Sequence, residues 1–268
     1  MEIPLFPLHT VLCPGIVLPL HIFEERYRAL TRRCLDTGDP FGVVLIRDDR
    51  EVGTQGVATL AGVGAFAEIR EAGRYTDGRF DLLAAGTGRF AIESVDAQRE
   101  PYLVAQVTPL DDDVGDEARA EHLAAGAIRR FIRYLELMRA RDGESAEVLD
   151  IRVEIDAPET IGDRDAEPRG DADPDAAAAG SRPEPETKRS SGPPPDLGIP
   201  DDPTVLSYLL SGIVQVELPR RQALLEADTT VERLEGLNAL LEREVVLLGL
   251  RLRSFTPDPR TLGGARLS

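Results

Sequence analysis

Lysine is all but missing from this chain. Among 268 residues there is one, Lys188. A phosphate-binding loop, a Ser-Lys dyad and a Schiff base each need a positioned lysine. Lys188 lies in the stretch least able to fold, so these chemistries are nearly excluded. Tryptophan is absent and aromatics make up 5%. The two cysteines, Cys13 and Cys34, form no C-x-x-C pair. They fit free buried thiols in a reducing, cytoplasmic setting. His9, His21 and His122 are too scattered to converge on a metal. No run is long and apolar enough to span a bilayer. Positive charge is scarce as well: 31 Lys and Arg face 48 Asp and Glu, a net of -17. Nucleic-acid binders draw their affinity from cations against phosphates. The balance therefore argues against DNA, RNA and anionic membranes as partners.

What is present begins with "IPLFPLHTVLCPGIVLPLHIFEERYRAL" from the third residue. A secretion signal would start with positive charge, whereas the first charge here is Glu2. Pro4, Pro7, Pro14 and Pro19 also break any long helix. The pattern reads as strand, turn, strand, helix. Residues 3–6 and 16–20 are β-compatible, and Pro14-Gly15 is a turn dipeptide. Phe23, Tyr27, Leu30 and Cys34 then recur at helical spacing, which predicts a helix over 23–36 stopped by Gly38.

Residues 1–112 are otherwise strand-rich. "FGVVLI" at 41–46 is a buried-strand run, and "GAFAEIREAGRYTDGRFDLLAAGTGRFAIESV" holds three strand candidates. Asp77-Gly78 marks a two-residue hairpin turn, and "GTG" at 86–88 separates the next pair. "YLVAQVTPL" at 102–110 closes the series. Short connections with no intervening helical period predict a mostly antiparallel sheet curled into a small barrel. From 113 to 153 the period is helical, with a stripe of Leu123, Ile128, Phe131, Ile132, Leu135 and Met138 ended by Gly143. Residues 154–203 carry ten prolines, fourteen Asp or Glu and five Lys or Arg, a net of -9. Such a stretch cannot offset its ordering entropy and is expected to be a disordered acidic insert. Residues 204–254 supply further helices. One starts at Asp202-Pro203, and one has Pro219 in its first turn. The last has a Thr229/Glu232 capping box. Along that helix Val231, Leu234, Asn238, Leu241, Val245, Leu248 and Leu252 form a coiled-coil-like seam. The seam packs on the first bundle helix, or alternatively makes a homodimer through 229–252. Residues 255–268 read as a frayed tail. The fold class is α+β.

No catalytic, cofactor or metal site emerges from the motifs. "GVG" at 62–64 and "GTG" open no helix after a strand, so they read as turns or bulges. His21 with Glu24 and Glu25 is a tempting metal triplet, but a strand-end or cap role suits it better. Ser207 and Ser211 have no His or Lys partner at a recognisable spacing. Phe23, Tyr27, Phe41 and Tyr102 are the candidates for lining a peptide groove, the other reading being that they are core.

The quoted opening, the "GVGAFAEI…TDGRFDLLAAGTGRFAI" hairpin and "DPTVLSYLLSGIVQVELPRRQALLEADTTVERLEGLNALLERE" resemble, in order, the N-terminal substrate-binding domain of the ATP-dependent Lon protease. The resemblance covers nearly the whole chain outside 154–203. It implies a PUA-like β-barrel followed by a helical bundle that contacts unfolded or tagged polypeptides. In that family the domain precedes an ATPase and a Ser-Lys peptidase. Neither signature occurs in this sequence. The expectation is a stand-alone module that binds polypeptide clients or a protease and does not cut, an adaptor in protein quality control. The alternative is a small-ligand-binding protein or hydrolase using carboxylates on the barrel.

Overall fold

The described residues of the first hundred make most of their main-chain hydrogen bonds by strand pairing around a single helix, because prolines and turn residues break up the opening stretch. The computed structural model describes residues 1–47, 60–142 and 199–255. Two compact units divide the chain, Met1–Glu154 with Pro200–Ser268 and Ile155–Ile199. Of the second only Ile199 is described, so the fold below is that of the first. The acidic insert expected over 154–203 lies outside the described residues up to 198, as do Gly143 and the tail beyond 255.

The elements run β1 (Glu2–Leu8), β2 (Val17–Ile22), α1 (Glu25–Thr37), β3 (Phe41–Leu45), β4 (Val63–Arg74), β5 (Phe80–Asp96), β6 (Leu103–Leu110), α2 (Glu117–Asp142), α3 (Pro203–Ile213), α4 (Leu218–Glu226) and α5 (Thr230–Phe255). The six strands make one mixed sheet in the order β2-β5-β4-β3-β1-β6, with a further β5–β6 pairing. All pairs are antiparallel except β1 with β3, which is parallel. β1 changes partner along its length. Glu2–Leu5 pair with β6 and Leu5–Leu8 with β3. Pro4 and Pro7 are therefore each paired on one side only, which is where a strand tolerates a residue without an N–H.

"GTG" does not separate two strands, and the three strand candidates are two. β5 runs unbroken through Gly86-Thr87-Gly88, and its register against β4 slips there, Phe66 facing Gly88 and Ala67 facing Gly86. A bulge absorbs Thr87, so the strand bends without ending. A second bulge starts β2. The Ile16 N–H donates to the Cys13 carbonyl at 3.1 Å across Pro14-Gly15, and Gly15 has φ +78°. The Gly15 N–H donates to the Gly86 carbonyl at 2.8 Å, while the Gly86 N–H donates to Ile16 at 3.0 Å. A proline-glycine turn thus runs straight into a glycine bulge.

α1 begins later than its spacing predicted. Glu24 is its N-cap, so Phe23 precedes the helix and does not share the face of Tyr27, Leu30 and Cys34, which are buried. Gly38 ends it at φ +74°, donating its N–H to the Cys34 carbonyl.

The helices pack on one another through α2 and α5. The face of α2 buried there is the small one. Ala120, Ala124 and Ala127 are buried with Tyr134 and Leu137, whereas Leu123, Ile128, Phe131, Leu135 and Met138 are half-buried and Ile132 is exposed. Close approach of two helices favours small residues at the contact, and the larger stripe is displaced to the flank. On α5, Leu234, Leu237 and Leu241 are fully buried and Leu248 nearly so. The seam is thus used inside the chain, against α2. Thr229 caps α5 by accepting the Glu232 N–H at 3.1 Å. Asp202 caps α3, accepting from Thr204 and Val205 ahead of Pro203.

Two buried arginines fasten the helices to the sheet. The side chains of Arg89 on β5 and Arg233 on α5 are 2% and 0% exposed. Arg89 donates to the carbonyls of Leu225 and Ala227 at 2.9 and 2.7 Å. Arg233 donates to the Leu224 carbonyl at 3.1 Å and to Ser207 Oγ at 3.2 Å, and lies 3.8 Å from the Tyr208 ring centre. Both face one carboxylate, Asp112, at 3.1 and 3.7 Å. The Tyr208 hydroxyl also donates to Asp112. A buried charge needs this density of partners to be tolerated at all. Ser207 and Ser211, weighed above as nucleophiles, are buried here and donate to the carbonyls of Thr204 and Ser207.

Candidate recognition surface

Where β2 ends, four polar and aromatic side chains gather at the surface, His21, Phe23, Tyr75 and Asp81. His21 stands opposite Asp81 in the β2–β5 register, with Leu20↔Leu82 and Ile22↔Phe80 on either side. Main-chain bonding alternates along an antiparallel pair. Counting from the Ile16–Gly86 bond, Leu18, Leu20 and Ile22 turn their main-chain groups toward β5. His21↔Asp81 is then a non-hydrogen-bonded pair, the kind that brings side chains closest. His21 Nδ1 lies 2.6 Å from Asp81 Oδ1. The Tyr75 hydroxyl donates to the other oxygen of the same carboxylate. The His21 ring is 6.2 Å from Tyr75 and 6.3 Å from Phe23. Phe23 and Tyr75 are 64% and 44% exposed, large for aromatic side chains.

The β4–β5 turn holds Tyr75 in place. The Tyr75 N–H donates to the Arg79 carbonyl and the Gly78 N–H to the Tyr75 carbonyl, at 2.9 and 3.0 Å. The loop is thus three residues, Thr76 to Gly78, rather than the expected two. Gly78 sits at φ +84°. A Cβ there would fall 1.9 Å from Arg28 Nη2. Arg28 reaches over from α1 to donate to the carbonyls of Gly78 and Asp77 at 2.7 and 3.1 Å. Arg79 donates to Asp77 and lies 5.4 Å over the Tyr75 ring. The bond from Tyr75, then that from His21, holds the Asp81 carboxyl below its ordinary range. The same Asp81 bond raises the Tyr75 phenol. A general acid needs the opposite shift in its carboxyl, so Asp81 is not placed to act as one.

Of the four aromatic candidates, three lie together and the fourth lies elsewhere. Tyr27, Phe41 and Tyr102 belong to one core cluster under the sheet. Phe6 stacks on Tyr27 at 4.0 Å and meets Phe41 at 6.1 Å, and Arg33 donates to the Tyr102 hydroxyl at 3.5 Å. Only Phe23 reaches the surface. Glu24 and Glu25, considered with His21 for a metal, are engaged by Arg26, Arg28 and Arg32. Among the described residues no group of three His, Cys, Asp or Glu could hold a metal ion, and no helix is long and apolar enough to cross a membrane. Tyr75 and Asp81 were missed by the sequence reading. The turn signal beside Tyr75 was visible, but the pairing of His21 with Asp81 depends on a contact sixty residues apart.

β2 hydrogen-bonds to β5 alone and lies at an edge of the described sheet. By the same alternation Val17, Pro19 and His21 turn their main-chain groups outward. Pro19 has no N–H to offer, so the middle of this edge is blunted.

Comparison with known proteins gives a consistent picture. The family model of the ATP-dependent protease La (LON) substrate-binding domain matches residues 2–243. Lon protease of Escherichia coli (strain K12) is 25% identical over 257 residues, covering 94% of this chain and 26% of that protein. Lon protease of Azorhizobium caulinodans is 22% identical over 97% of this chain and 24% of its own length. The chain spans about a quarter of the length of the curated relatives it matches. Among solved structures, the Lon N-terminal domain protein from Xanthomonas campestris aligns with a TM-score of 0.52 at 24% identity, over 89% of this chain and 98% of that one. The N-terminal domain of Mycobacterium avium complex Lon protease gives 0.56 at 16% identity, over 90% and 98%. These structural likenesses establish the fold.

Proposed function

The chain belongs to the ATP-dependent protease La (LON) substrate-binding domain family, and from that premise we propose that it is a non-enzymatic module that recognises polypeptide segments. The family match over residues 2–243 carries the proposal. The circuit of pairings completed by β5 and β6 supports the PUA-like barrel reading of its sheet. In this reading it holds clients for a protease in the cytoplasm, where reducing conditions keep the buried Cys13 and Cys34 as free thiols.

The contact surface is the Phe23–His21–Tyr75 patch with the outer edge of β2. Two exposed aromatic rings beside a partly open strand edge suit extended segments of varied sequence. Main-chain bonds are indifferent to side chains, and the rings add apolar contact. Pro19 limits the edge to the outward N–H groups of Val17 and His21, which keeps binding weak and discourages sheet-to-sheet aggregation.

Client capture from a lysate by the purified full chain, read by mass spectrometry beside a mock control, tests the proposal. The wild-type chain is expected to enrich unfolded polypeptides. Phe23→Ser with Tyr75→Ser is expected to lower that enrichment about tenfold, an amount typical of losing two aromatic contacts, with the melting temperature unchanged. Equal capture by wild type and double variant would remove this surface from the proposal. Recovery of nothing but the protein itself would overturn the proposal as a whole.

A further inference from the structure

In a chain of net charge -17, one helical stretch is strongly basic. Residues 129–141 of α2 hold five arginines, Arg129, Arg130, Arg133, Arg139 and Arg141, against one acid, Glu136. Three of these arginines line a groove of about 470 Å³ between α2 and α5, with Glu242, Val245 and Val246 as the opposite wall. The lining carries three positive charges and one negative one, a local reversal of the protein's overall sign.

The fold commits a buried polar residue behind the groove, against Arg130. Asn238 is the one polar member of the α5 seam and is 8% exposed. Its amide nitrogen donates to the carbonyls of Leu123 and Leu234 at 3.0 and 2.8 Å. Both of its donors are thus spent within the bundle, and its oxygen is left to accept from Arg130 Nη1 at 2.9 Å. Gly126 makes room for this seat. A Cβ there would lie 3.0 Å from Arg130 Nη1 and 3.3 Å from Asn238 Oδ1. A leucine in place of Asn238 would pack the seam more simply. The polar choice holds one guanidinium at the groove, sparing the ordering entropy that a free arginine loses on binding. Arg129 and Arg133 are exposed beside it, Arg133 carrying a surface pair with Glu136 at 2.8 Å. Such a pair is worth little and exchanges readily for a better carboxylate.

We propose that the α2–α5 groove docks an acidic peptide segment bearing an aliphatic side chain. Carboxylates engage Arg129, Arg130 and Arg133, and the aliphatic group lies on Val245 and Val246. Charge complementarity selects the partner's sign, and the valine wall selects against wholly polar polyanions. This site is separate from the patch at Phe23 and Tyr75 and does not rest on the client-binding reading.

The test is fluorescence anisotropy on the full chain with a labelled peptide of alternating glutamate and leucine, beside its alternating lysine and leucine counterpart. In Phe23→Ser with Tyr75→Ser, which removes the other surface, the acidic peptide is expected to bind and the basic one not to. Raising salt from low to high weakens binding, since exposed charges are screened beyond roughly 10 Å at 0.1 M. Arg129→Glu with Arg133→Glu is expected to weaken the acidic peptide at least about tenfold through lost attraction and added repulsion. Both positions are exposed, so the fold is retained. Should that variant misfold, Arg129→Gln with Arg133→Gln serves, with a severalfold loss expected. Asn238→Leu releases Arg130 and is expected to weaken binding while the helical signal stays intact. Equal binding of the two peptides, or undiminished binding by the arginine variants, would overturn the site. So would loss of binding in Phe23→Ser, which would assign the acidic peptide to the other surface.

Discussion

Asp112 is the carboxylate that faces both of the arginines fastening the helices to the sheet. Among the described residues its carboxylate is the one acidic group shared by Arg89 and Arg233, at 3.1 and 3.7 Å, and it also accepts the Tyr208 hydroxyl. In Asp112→Ala both guanidiniums stay buried, Arg233 fully so, with only carbonyls, one serine and the Tyr208 ring for company. Breaking a buried ion pair by removing one partner costs about 3–5 kcal/mol, because an uncompensated charge is left behind. Asp112 is itself 34% exposed, so solvent already screens part of the interaction, and the carbonyl bonds to Leu224, Leu225 and Ala227 persist. The lower end, about 3 kcal/mol, is the reasoned figure. At about 2–4 °C per kcal/mol for a domain of this size, the melting temperature falls by about 6–12 °C. Asp112→Asn keeps an acceptor but loses the charge and falls between. Thermal unfolding followed by circular dichroism reads all three proteins, provided the transitions stay cooperative. A fall of less than about 2 °C in Asp112→Ala would refute the reasoning. It would show that the carbonyl cage alone neutralises the arginines.

Gly86→Ala places a Cβ 2.5 Å from the Cys13 carbonyl oxygen, so the bulge at β2 must move. A loss of about 1–3 kcal/mol in urea unfolding is expected, as for other forced overpacking. Burial pushes the Cys13 and Cys34 thiols up to about 11 from an ordinary 9.0. The folded thiols hold their protons more tightly than unfolded ones. Their contribution is therefore complete below about pH 9 and is lost as pH rises toward 11, at up to about 2–3 kcal/mol each. Alkaline unfolding of Cys13→Ser with Cys34→Ser, read against wild type, should lose that steep pH dependence. Tyr75→Phe removes the strongest influence holding Asp81 low, so the Asp81 carboxyl resonance should titrate closer to the ordinary carboxylate range. No change in that titration would show that His21 alone governs it.

What was legible in the sequence was whatever depends on neighbours within a few residues. Pro14-Gly15, the stop at Gly38 and the caps at Asp202 and Thr229 are local chemistry, and each is found where expected, while Asp77-Gly78 marks the right hairpin with a loop one residue longer than expected. "GTG" misled because glycine serves turns and bulges alike, and only the partner strand distinguishes them. The face of α2 misled for a related reason. Apolar size suggested the large stripe, but the contact with α5 rewards close approach, which Ala120, Ala124 and Ala127 allow. The candidate surface was half legible. Phe23 was singled out as one of an aromatic set whose other members are core, since a spacing of four places residues on one face only once the helix has begun. Tyr75 and Asp81 become companions of His21 through the register of β2 on β5, which no local pattern encodes. The two arginine devices share that property. Arg89 with Arg233, and Arg130 with Asn238, acquire meaning when distant elements meet. The first surrounds its guanidiniums with carbonyls and one carboxylate inside the protein, Arg89 Nε alone of them lacking a partner, and so acts as a bolt. The second leaves Arg129 and Arg133 at the surface around one seated guanidinium. That difference in satisfaction, rather than any difference in residue type, separates an arginine that holds the fold from one available to a partner.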